Sequence, residues 1–513
     1  MELKVFKDTV TAYGGRWETR LELPVETEVL IPDYLPAVFK IVKCLVEPVL
    51  MQNHTAAAKW QGEGYLRCTV YYQSDEAGAQ LYRIEQKFPF EKSVDLPEGR
   101  YQQGPALVSG ETEYVNCRAI SEHRIDLRGA YALNVAVQVV DQLELVTSLA
   151  DCGIEQRTRV MNGLSCAVVE EKTFTAESRI AMPGGGTVVL DISGVFLPDS
   201  ATVVAGQLNC QGTLRMQAIY RAAGTEELVC RQTEISVRQT LDVAGAAEGD
   251  ECLFWGEILA CTLEAGEGAA DPVLTVTWKL HAELWRAVQY IAVSDAYSTL
   301  CQTQVEQVAC RLLAPTADLP RTVQAEFSDD LPDPEADVLG CFVTLGALAA
   351  QPGDDSGSVL FAGKATAHLI CADPRGELTC YDRAFTWRLP QPLPGTPADY
   401  CLRASATVGK VISTRAGGSL RVEVEICLDG WLLAVQALPA VQDVALGEEF
   451  PDKSDGPALY LYYASAGECI FDIAKRYHAR AKDLAAANHL DDTGTPLQEM
   501  TTEKACLLIP AAL

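Results

Sequence analysis

The segment GYLRCTVYYQ (Gly64–Gln73) decides the fold, because related segments occur twice more, as GTLRMQAIYR (Gly212–Arg221) and GKATAHLICA (Gly363–Ala372). The three starts lie 148 and 151 residues apart. In each segment, side chains at every second position share one face, which is the pattern of a β-strand with one buried side. The sequence therefore predicts three copies of one strand-rich unit.

Other landmarks keep the same spacing. A turn with a glycine and a second strand follow each segment, and the turn glycines, which favour hairpins, are Gly78, Gly224 and Gly376. A long strand follows later in each copy; the clearest is SLRVEVEICLDGWLL (Ser419–Leu433). A proline turn precedes each copy, at Pro32, Pro183 and Pro332. After the first of these turns we expect a short helix, since Val38, Ile41 and Val42 are helically spaced.

The C-terminal stretch has a different period. Ile470, Ile473, Ala474 and Tyr477 recur at i, i+3, i+4 and i+7, which predicts one helix, and a second is expected over 481–487. Apolar strands should flank the helices, LYLYYA before them and CLLIP after them.

These patterns predict a mainly β fold class. We expect three tandem antiparallel β-sheet or sandwich-like domains at 1–155, 156–305 and 306–447. A turn-rich linker at 448–457 then leads to a small βααβ domain at 458–513.

Composition excludes several classes of function. The formal net charge of −29 argues against nucleic acid and against anionic membrane surfaces, and no apolar run approaches the length of a membrane span. The N-terminus lacks a signal-peptide pattern, so we expect a cytoplasmic protein. The 18 cysteines contain no C-x-x-C spacing, and many lie in apolar alternation as small buried hydrophobes. Cross-linking in a mature assembly is the alternative.

The sequence offers no pattern for catalysis. The six histidines show no metal-binding spacing, and G-x-S-x-G, P-loop and dinucleotide motifs are missing from the sequence. The glycine-rich MPGGGT (182–187) lacks the lysine of a phosphate loop and is interpreted as a turn. We therefore expect a non-enzyme without metal or cofactor.

The chain resembles two known domain families. EVLIPDYLPAVFKIVKCLVEP (Glu28–Pro48), the G-x-L strand and SEHRIDLRGAYAL (Ser121–Leu133) resemble the SPOCS domain of endospore-forming bacteria, in three copies over most of 20–445. The C-terminal stretch resembles a LysM domain. Its matching elements are Tyr462 and Tyr463, Gly467–Glu468, Ile473–Tyr477, Leu484–Leu490 and Leu507–Pro510.

The LysM resemblance implies a binding groove between the turn before the first helix and the loop after the second. In this chain, the candidate partner-binding residues line that implied groove or lie beside it. They are Ala464, Ser465, Ala466, Gly467, Glu468, Cys469, Phe471, Asn488, His489 and Leu490. Glu468 and Cys469 replace the Asp and Thr common in glycan-binding relatives, which favours a protein ligand over an N-acetyl sugar. Core packing is the alternative role for Tyr462, Tyr463 and Phe471. The basic run Lys475–Lys482 is either a solvated helix face or a partner patch.

SPOCS repeats followed by a terminal LysM domain resemble the SipL type of spore-coat morphogenetic proteins. This resemblance implies a non-catalytic scaffold in the mother-cell cytoplasm that tethers the assembling coat to the forespore surface. Its implied partners are the coat-basement ATPase and other coat proteins. The alternative is a LysM protein that binds peptidoglycan or another N-acetyl sugar polymer. Nucleic acid and direct membrane insertion are not expected.

Overall fold

The structure is a computed structural model. It describes residues 2–74, 80–182, 188–221, 228–264, 271–316, 319, 322–331, 333–354, 357–393, 399–416, 419–451, 459–464, 468–490 and 505–510. The strand pairs within these residues are antiparallel, and strands account for most of them. The prediction of a mainly β chain built from antiparallel sheets is therefore confirmed. The predicted turn residues Gly78, Gly224, Pro183 and Pro332 lie outside the described residues.

Three sets of strands, named units 1 to 3 here, follow one another along the chain. Unit 1 comprises β1 (Lys4–Leu30), β2 (Val38–Ala56), β3 (Lys59–Ser74), β4 (Leu81–Asp95), β5 (Leu107–Ser121) and β6 (Arg124–Ala150). Unit 2 comprises β7 (Ile154–Arg179), β8 (Val188–Val204), β9 (Gln207–Arg221), β10 (Leu228–Asp242), β11 (Glu251–Glu264) and β12 (Val273–Ser298). Unit 3 comprises β13 (Cys301–Pro315), β14 (Thr322–Asp330), β15 (Asp337–Pro352), β16 (Ser358–Ala372), β17 (Leu378–Pro392), β18 (Tyr400–Ala416) and β19 (Ser419–Glu449).

Each unit repeats one pairing order. In unit 1, β1 pairs with β6 along its length, β5 pairs with the other edge of β6, and β2, β3 and β4 form a second sheet. In unit 2, β7 pairs with β12, β11 pairs with the other edge of β12, and β8, β9 and β10 form the second sheet. In unit 3, β13 and β14 together take the place of the first strand and both pair with β19. The sequence-based boundaries after residues 155 and 305 lie inside β7 and β13, and Glu448 and Glu449 of the expected linker end β19.

The core of each unit lies between its two sheets. The alternating residues of the opening segment, Leu66, Cys68, Val70 and Tyr72, are all 0% exposed. In β19 the same holds for Val422, Val424 and Ile426. Cys68, Cys371 and Cys427 are buried free thiols, in agreement with their interpretation as small hydrophobes.

The glycine that begins each repeated segment is explained by close packing. A Cβ added at Gly64 would lie 2.0 Å from the Val49 carbonyl oxygen. At Gly212 it would lie 2.5 Å from the Phe196 ring, and at Gly363 it would lie 2.5 Å from Trp387 Nε1. These positions in β3, β9 and β16 accept no side chain without a shift of the neighbouring strand or ring.

The prediction of a short helix after Pro32 is wrong. Val38, Ile41 and Val42 lie in β2, which pairs with β3 from Val38 and Ser74 onward. The register slips between Val38 and Lys40 and again between Ile41 and Lys43. Each β-bulge inserts an extra residue, so apolar side chains that share a strand face take on a spacing that resembles a helix.

The three units meet at a first apolar contact, the long-strand hub, where β6, β12 and β19 come together. Val146, Val293 and Val441 occupy equivalent positions on these strands and are 0% exposed. Further along the same strands, the contact also contains Leu149, Ala296 and Val444. A neighbouring apolar layer contains Leu145, Ala292 and Ala440. The repeat is therefore also a threefold pattern in space.

A second apolar contact, the hairpin hub, joins the ends of β3, β9 and β16. Its members include Tyr71, Ile219 and Ile370, again at equivalent positions. A cavity of about 2480 Å³ lies between the units, with a lining that extends from Tyr13 beside the first hub to Phe342 at the second. The units thus surround a shared space and contact one another at both ends of it.

Polar contacts cross every boundary between units. Units 1 and 2 are joined by the Tyr65 hydroxyl, which donates to the Leu259 carbonyl oxygen at 2.8 Å. Units 2 and 3 are joined by Arg215 and Glu425 at 2.6 Å. Gln73 bridges units 1 and 3, since its Oε1 accepts a 3.0 Å bond from the Leu378 backbone N–H.

Candidate functional site

The helical tail is the unit formed by β20 (Leu459–Ala464), α1 (Ile470–Tyr477), α2 (Ala481–Ala487) and β21 (Ala505–Pro510). Both helices and both flanking strands lie where the sequence predicted them. β20 pairs antiparallel with β21, and the helices cover one side of that pair. Ile473, Leu484 and Ile509 are 0% exposed, and they belong to a buried core whose described residues come from the tail except for Tyr297 of unit 2.

Helix α1 ends because its C-cap leaves the helical region. His478 adopts a left-handed conformation with φ of 52°, and the following Ala479 N–H donates to the Ala474 carbonyl oxygen at 3.0 Å. This closure turns the chain directly into α2, which begins after Arg480.

The predicted turn before α1 is described only at its ends. Ala464 is buried in the tail core, whereas Ser465, Ala466 and Gly467 lie outside the described residues. Cys469 is the N-cap of α1, without a side-chain capping bond. Ala464 therefore contributes to packing, and Cys469 begins the helix through its carbonyl oxygen, which accepts from the Asp472 and Ile473 N–H groups at 3.1 Å.

Glu468 is engaged by neighbours in the tail. It accepts a 2.6 Å hydrogen bond from the Tyr462 hydroxyl, and Arg476 donates to that hydroxyl at 2.6 Å. The bond to Glu468 raises the pKa of Tyr462 above its usual value, because it stabilises the protonated phenol. Glu468 thus orders β20 against α1. Tyr463 on the opposite face is 72% exposed, so a core role for Tyr463 is wrong.

The loop after α2 combines a structural residue with an exposed one. The Asn488 amide donates to the Leu484 and Leu508 carbonyl oxygens at 2.8 and 2.7 Å and accepts from the Leu508 N–H at 2.7 Å. Asn488 therefore ties α2 to β21. Leu490 packs against the tail core. His489 is exposed, with a left-handed φ of 54°.

Phe471 does not face solvent but packs on unit 2. Its ring meets that of Tyr297 edge-on at 5.1 Å, and the Arg157 guanidinium lies 5.0 Å above it. Arg157 also approaches the Cys469 sulfur at 3.7 Å and the Asp472 carboxylate at 3.6 Å. Two of the predicted partner-binding residues, Cys469 and Phe471, are therefore in contact with the same chain.

Further bonds hold α1 on unit 2. Lys475 Nζ contacts both carboxylate oxygens of Asp295 at 2.7 and 2.8 Å. The Tyr297 hydroxyl donates to the Ala479 carbonyl oxygen at 2.7 Å. The basic run predicted as a solvated face or a partner patch is thus partly used inside the molecule.

Sequence reasoning missed the residues of unit 2 that receive the tail. Arg157, Asp295 and Tyr297 lie far from the tail in sequence, and their strand pattern does not differ from that of neighbouring residues. A comparison between the repeats carries a signal, however. By strand pairing, the residue equivalent to Tyr297 is Ala150 in unit 1 and Ala445 in unit 3, so the tyrosine is specific to unit 2.

The cavity lining contains a hydrogen-bonded group of side chains from units 1 and 3. Thr344 Oγ1 lies 3.1 Å from His368 Nε2, and His368 Nδ1 lies 2.8 Å from Asp382 Oδ1. A hydroxyl, an imidazole and a carboxylate in this order can form a nucleophilic triad. Asp382 is also bound by Lys43 Nζ at 2.6 Å across the boundary between units. Burial lowers the pKa of His368. Because Lys43 of unit 1 binds Asp382 of unit 3, we interpret this group as a polar contact between the units.

A second buried group lies where unit 2 meets unit 1. His281 Nδ1 lies 2.8 Å from a Glu171 oxygen and its Nε2 lies 3.5 Å from Glu257, while the ring stacks on Trp255 at 5.0 Å. Lys279 donates to the Met51 carbonyl oxygen at 2.5 Å. The described residues hold no cluster of three or more His, Cys, Asp or Glu side chains arranged for a metal ion.

One further finding concerns membranes. Within the described part of the chain, none of the helices has the length and apolar character that crossing a bilayer requires.

Comparison with family models and with curated proteins found no match to this chain.

Proposed function

We propose that this chain is a non-catalytic scaffold that tethers the assembling spore coat to the forespore surface through protein–protein contacts of its helical tail. The observation that carries the proposal is the attachment of one small unit, the tail, whose core is almost entirely its own, to a large body of three sheet-built units. The sequence resemblance to SPOCS repeats with a terminal LysM domain supports the same role. The coat-basement ATPase is the proposed main partner, in the mother-cell cytoplasm.

The arrangement favours retention by many weak contacts. A single small unit such as the tail has room for only a modest binding surface. When many copies engage the same polymer, each further contact becomes an intramolecular event, and avidity exceeds the single affinity. Units 1 to 3 supply additional surface for other coat proteins.

The test compares the full chain with a chain that ends at Pro451, each fused to a fluorescent protein in sporulating cells. The full chain is expected to collect at the forespore surface, and the shortened chain to spread through the mother cell. Equal thermal melting of units 1 to 3 in both chains is the control for folding. Normal localisation of the shortened chain would contradict the proposed role of the tail. Co-sedimentation with purified peptidoglycan tests the alternative, sugar binding by the tail.

A further inference from the structure

Unit 2 covers part of the predicted recognition surface. Cys469 and Phe471, on the N-terminal part of α1, face Arg157 and Tyr297. His489, beyond α2, is exposed. The docked tail therefore presents one end of the candidate groove and hides the other.

The contact includes several directional interactions besides those of Arg157. It contains the ring pair of Tyr297 and Phe471, the bonds from Lys475 to Asp295 and the bond from Tyr297 to Ala479. Nine of the ten described residues buried in the tail core, including Ile473 and Leu484, belong to the tail itself, and Tyr297 of unit 2 is the tenth. Separation of the tail from unit 2 therefore does not require the tail to unfold.

Unit 2 combines Arg157, Asp295 and Tyr297, whereas the equivalent positions of units 1 and 3 keep at most the aspartate. Asp295 pairs with Arg157, whereas the same pairing joins Ser148 to Phe6 in unit 1 and Asp443 to Glu306 in unit 3. A hydrophobe or an acid thus replaces the arginine, and alanine replaces Tyr297 in both repeats. The three units have equivalent strand ends, and the side chains of the end in unit 2 are the ones that contact the tail.

We propose that this contact is a latch that keeps the tail from binding its partner until it is released. The proposal rests on the proposed function. A partner that binds the Cys469–Phe471 end must displace Arg157 and Tyr297. Because it then replaces what unit 2 offers, it presents an aromatic side chain to Phe471 and a carboxylate to Lys475.

The latch reduces apparent affinity by the fraction of molecules in which the tail is released. Variants that weaken the latch without touching the tail therefore bind the partner more tightly. Tyr297→Ala is such a variant, and Ala150 and Ala445 show that the fold accepts alanine at this position. Arg157→Glu is a second, since it removes the cation from Phe471 and repels Asp472. Arg159→Glu is the matched control, because Arg159 lies on the same strand and is exposed.

Two measurements on the full chain test the latch. The first is hydrogen exchange of the α1 amides, and the second is the Kd for the purified coat-basement ATPase. Both latch variants are expected to raise α1 exchange about tenfold and to lower the Kd about tenfold, the scale of a lost aromatic contact. Arg159→Glu is expected to change neither.

Unchanged α1 exchange in both latch variants would overturn the latch. If the unmodified chain binds the ATPase and the latch variants bind no more tightly, the latch fails and the proposed function stands. If variants with faster exchange still bind no ATPase, the proposed function fails and the latch fails with it.

Discussion

Arg403 of β18 forms a buried ion pair with Glu283 of β12 and so joins unit 3 to unit 2. The guanidinium contacts both carboxylate oxygens, with Nε 3.0 Å from Oε2. The two side chains are 6% and 1% exposed. Trp285 Nε1 donates to the same Oε2 at 3.1 Å. Two charges buried this deeply are tolerated because each one neutralises the other and completes its hydrogen bonds.

Removal of one member of this pair should be costly. Glu283→Ala leaves the Arg403 charge buried and unpaired, and we expect the free energy of unfolding to fall by about 3–5 kcal/mol. Urea denaturation followed by circular dichroism measures the loss. Glu326→Ala is the control, because its pair with Arg421 is more than half exposed and contributes at most about 1 kcal/mol. Equal losses in the two variants would contradict the importance of burial.

The long-strand hub should depend on an apolar side chain from each unit. Val441→Asp places a carboxylate among buried valines without a partner, with an expected loss of about 3–5 kcal/mol. The units should also separate at that end, which small-angle scattering detects as a larger radius of gyration. Val160→Asp introduces the same group at a position that is 52% exposed and should change little. An unchanged radius for Val441→Asp would argue against the hub.

His281 should make stability depend on pH. Burial by itself lowers the pKa of this ring, but the carboxylates of Glu257 and Glu171 outweigh it and raise the pKa to about 9. Because this folded value exceeds the unfolded value of about 6.5, the protonated ring stabilises the fold fully below about pH 6.5. That contribution is lost as the pH rises through 9.

The measurement is the melting temperature between about pH 6 and 10, a range that brackets both pKa values. His281→Gln should lose stability at the acidic end relative to the unmodified chain, and the difference should shrink toward the alkaline end. His54→Gln is the control, because His54 is exposed. A difference that stays constant with pH would show that the charge on His281 does not stabilise the fold.

Two adjacent residues separate folding from recognition in the tail. Asn488→Ala removes two hydrogen bonds to Leu508 of β21 and one to Leu484 of α2, and the tail should lose about 2–3 kcal/mol of local stability. Hydrogen exchange of the β21 amides should then accelerate. His489→Ala should leave exchange unchanged, because the side chain is exposed. If His489→Ala loses partner binding while its exchange stays unchanged, the His489 side chain contacts the partner. Faster exchange of the β21 amides in both variants would contradict this division of roles.

Local periodicity was sufficient for much of this fold. The alternation in Leu66, Cys68 and Val70 predicted a strand with one buried face, and the helical spacing from Ile470 to Tyr477 predicted α1. Both patterns depend on which side of a single element faces a core. The pattern around Val38 misled, because β-bulges change the spacing without changing the strand.

The sequence by itself determined the threefold repetition, the mainly β character and the positions of the tail helices, because each follows from side-chain period or from recurrence along the chain. Only the tertiary structure decided that the units close around a cavity, that Arg403 meets Glu283, and that Phe471 packs on Tyr297. These contacts join residues more than a hundred positions apart. Their partners are chosen by the fit of finished surfaces, and no local pattern records that fit.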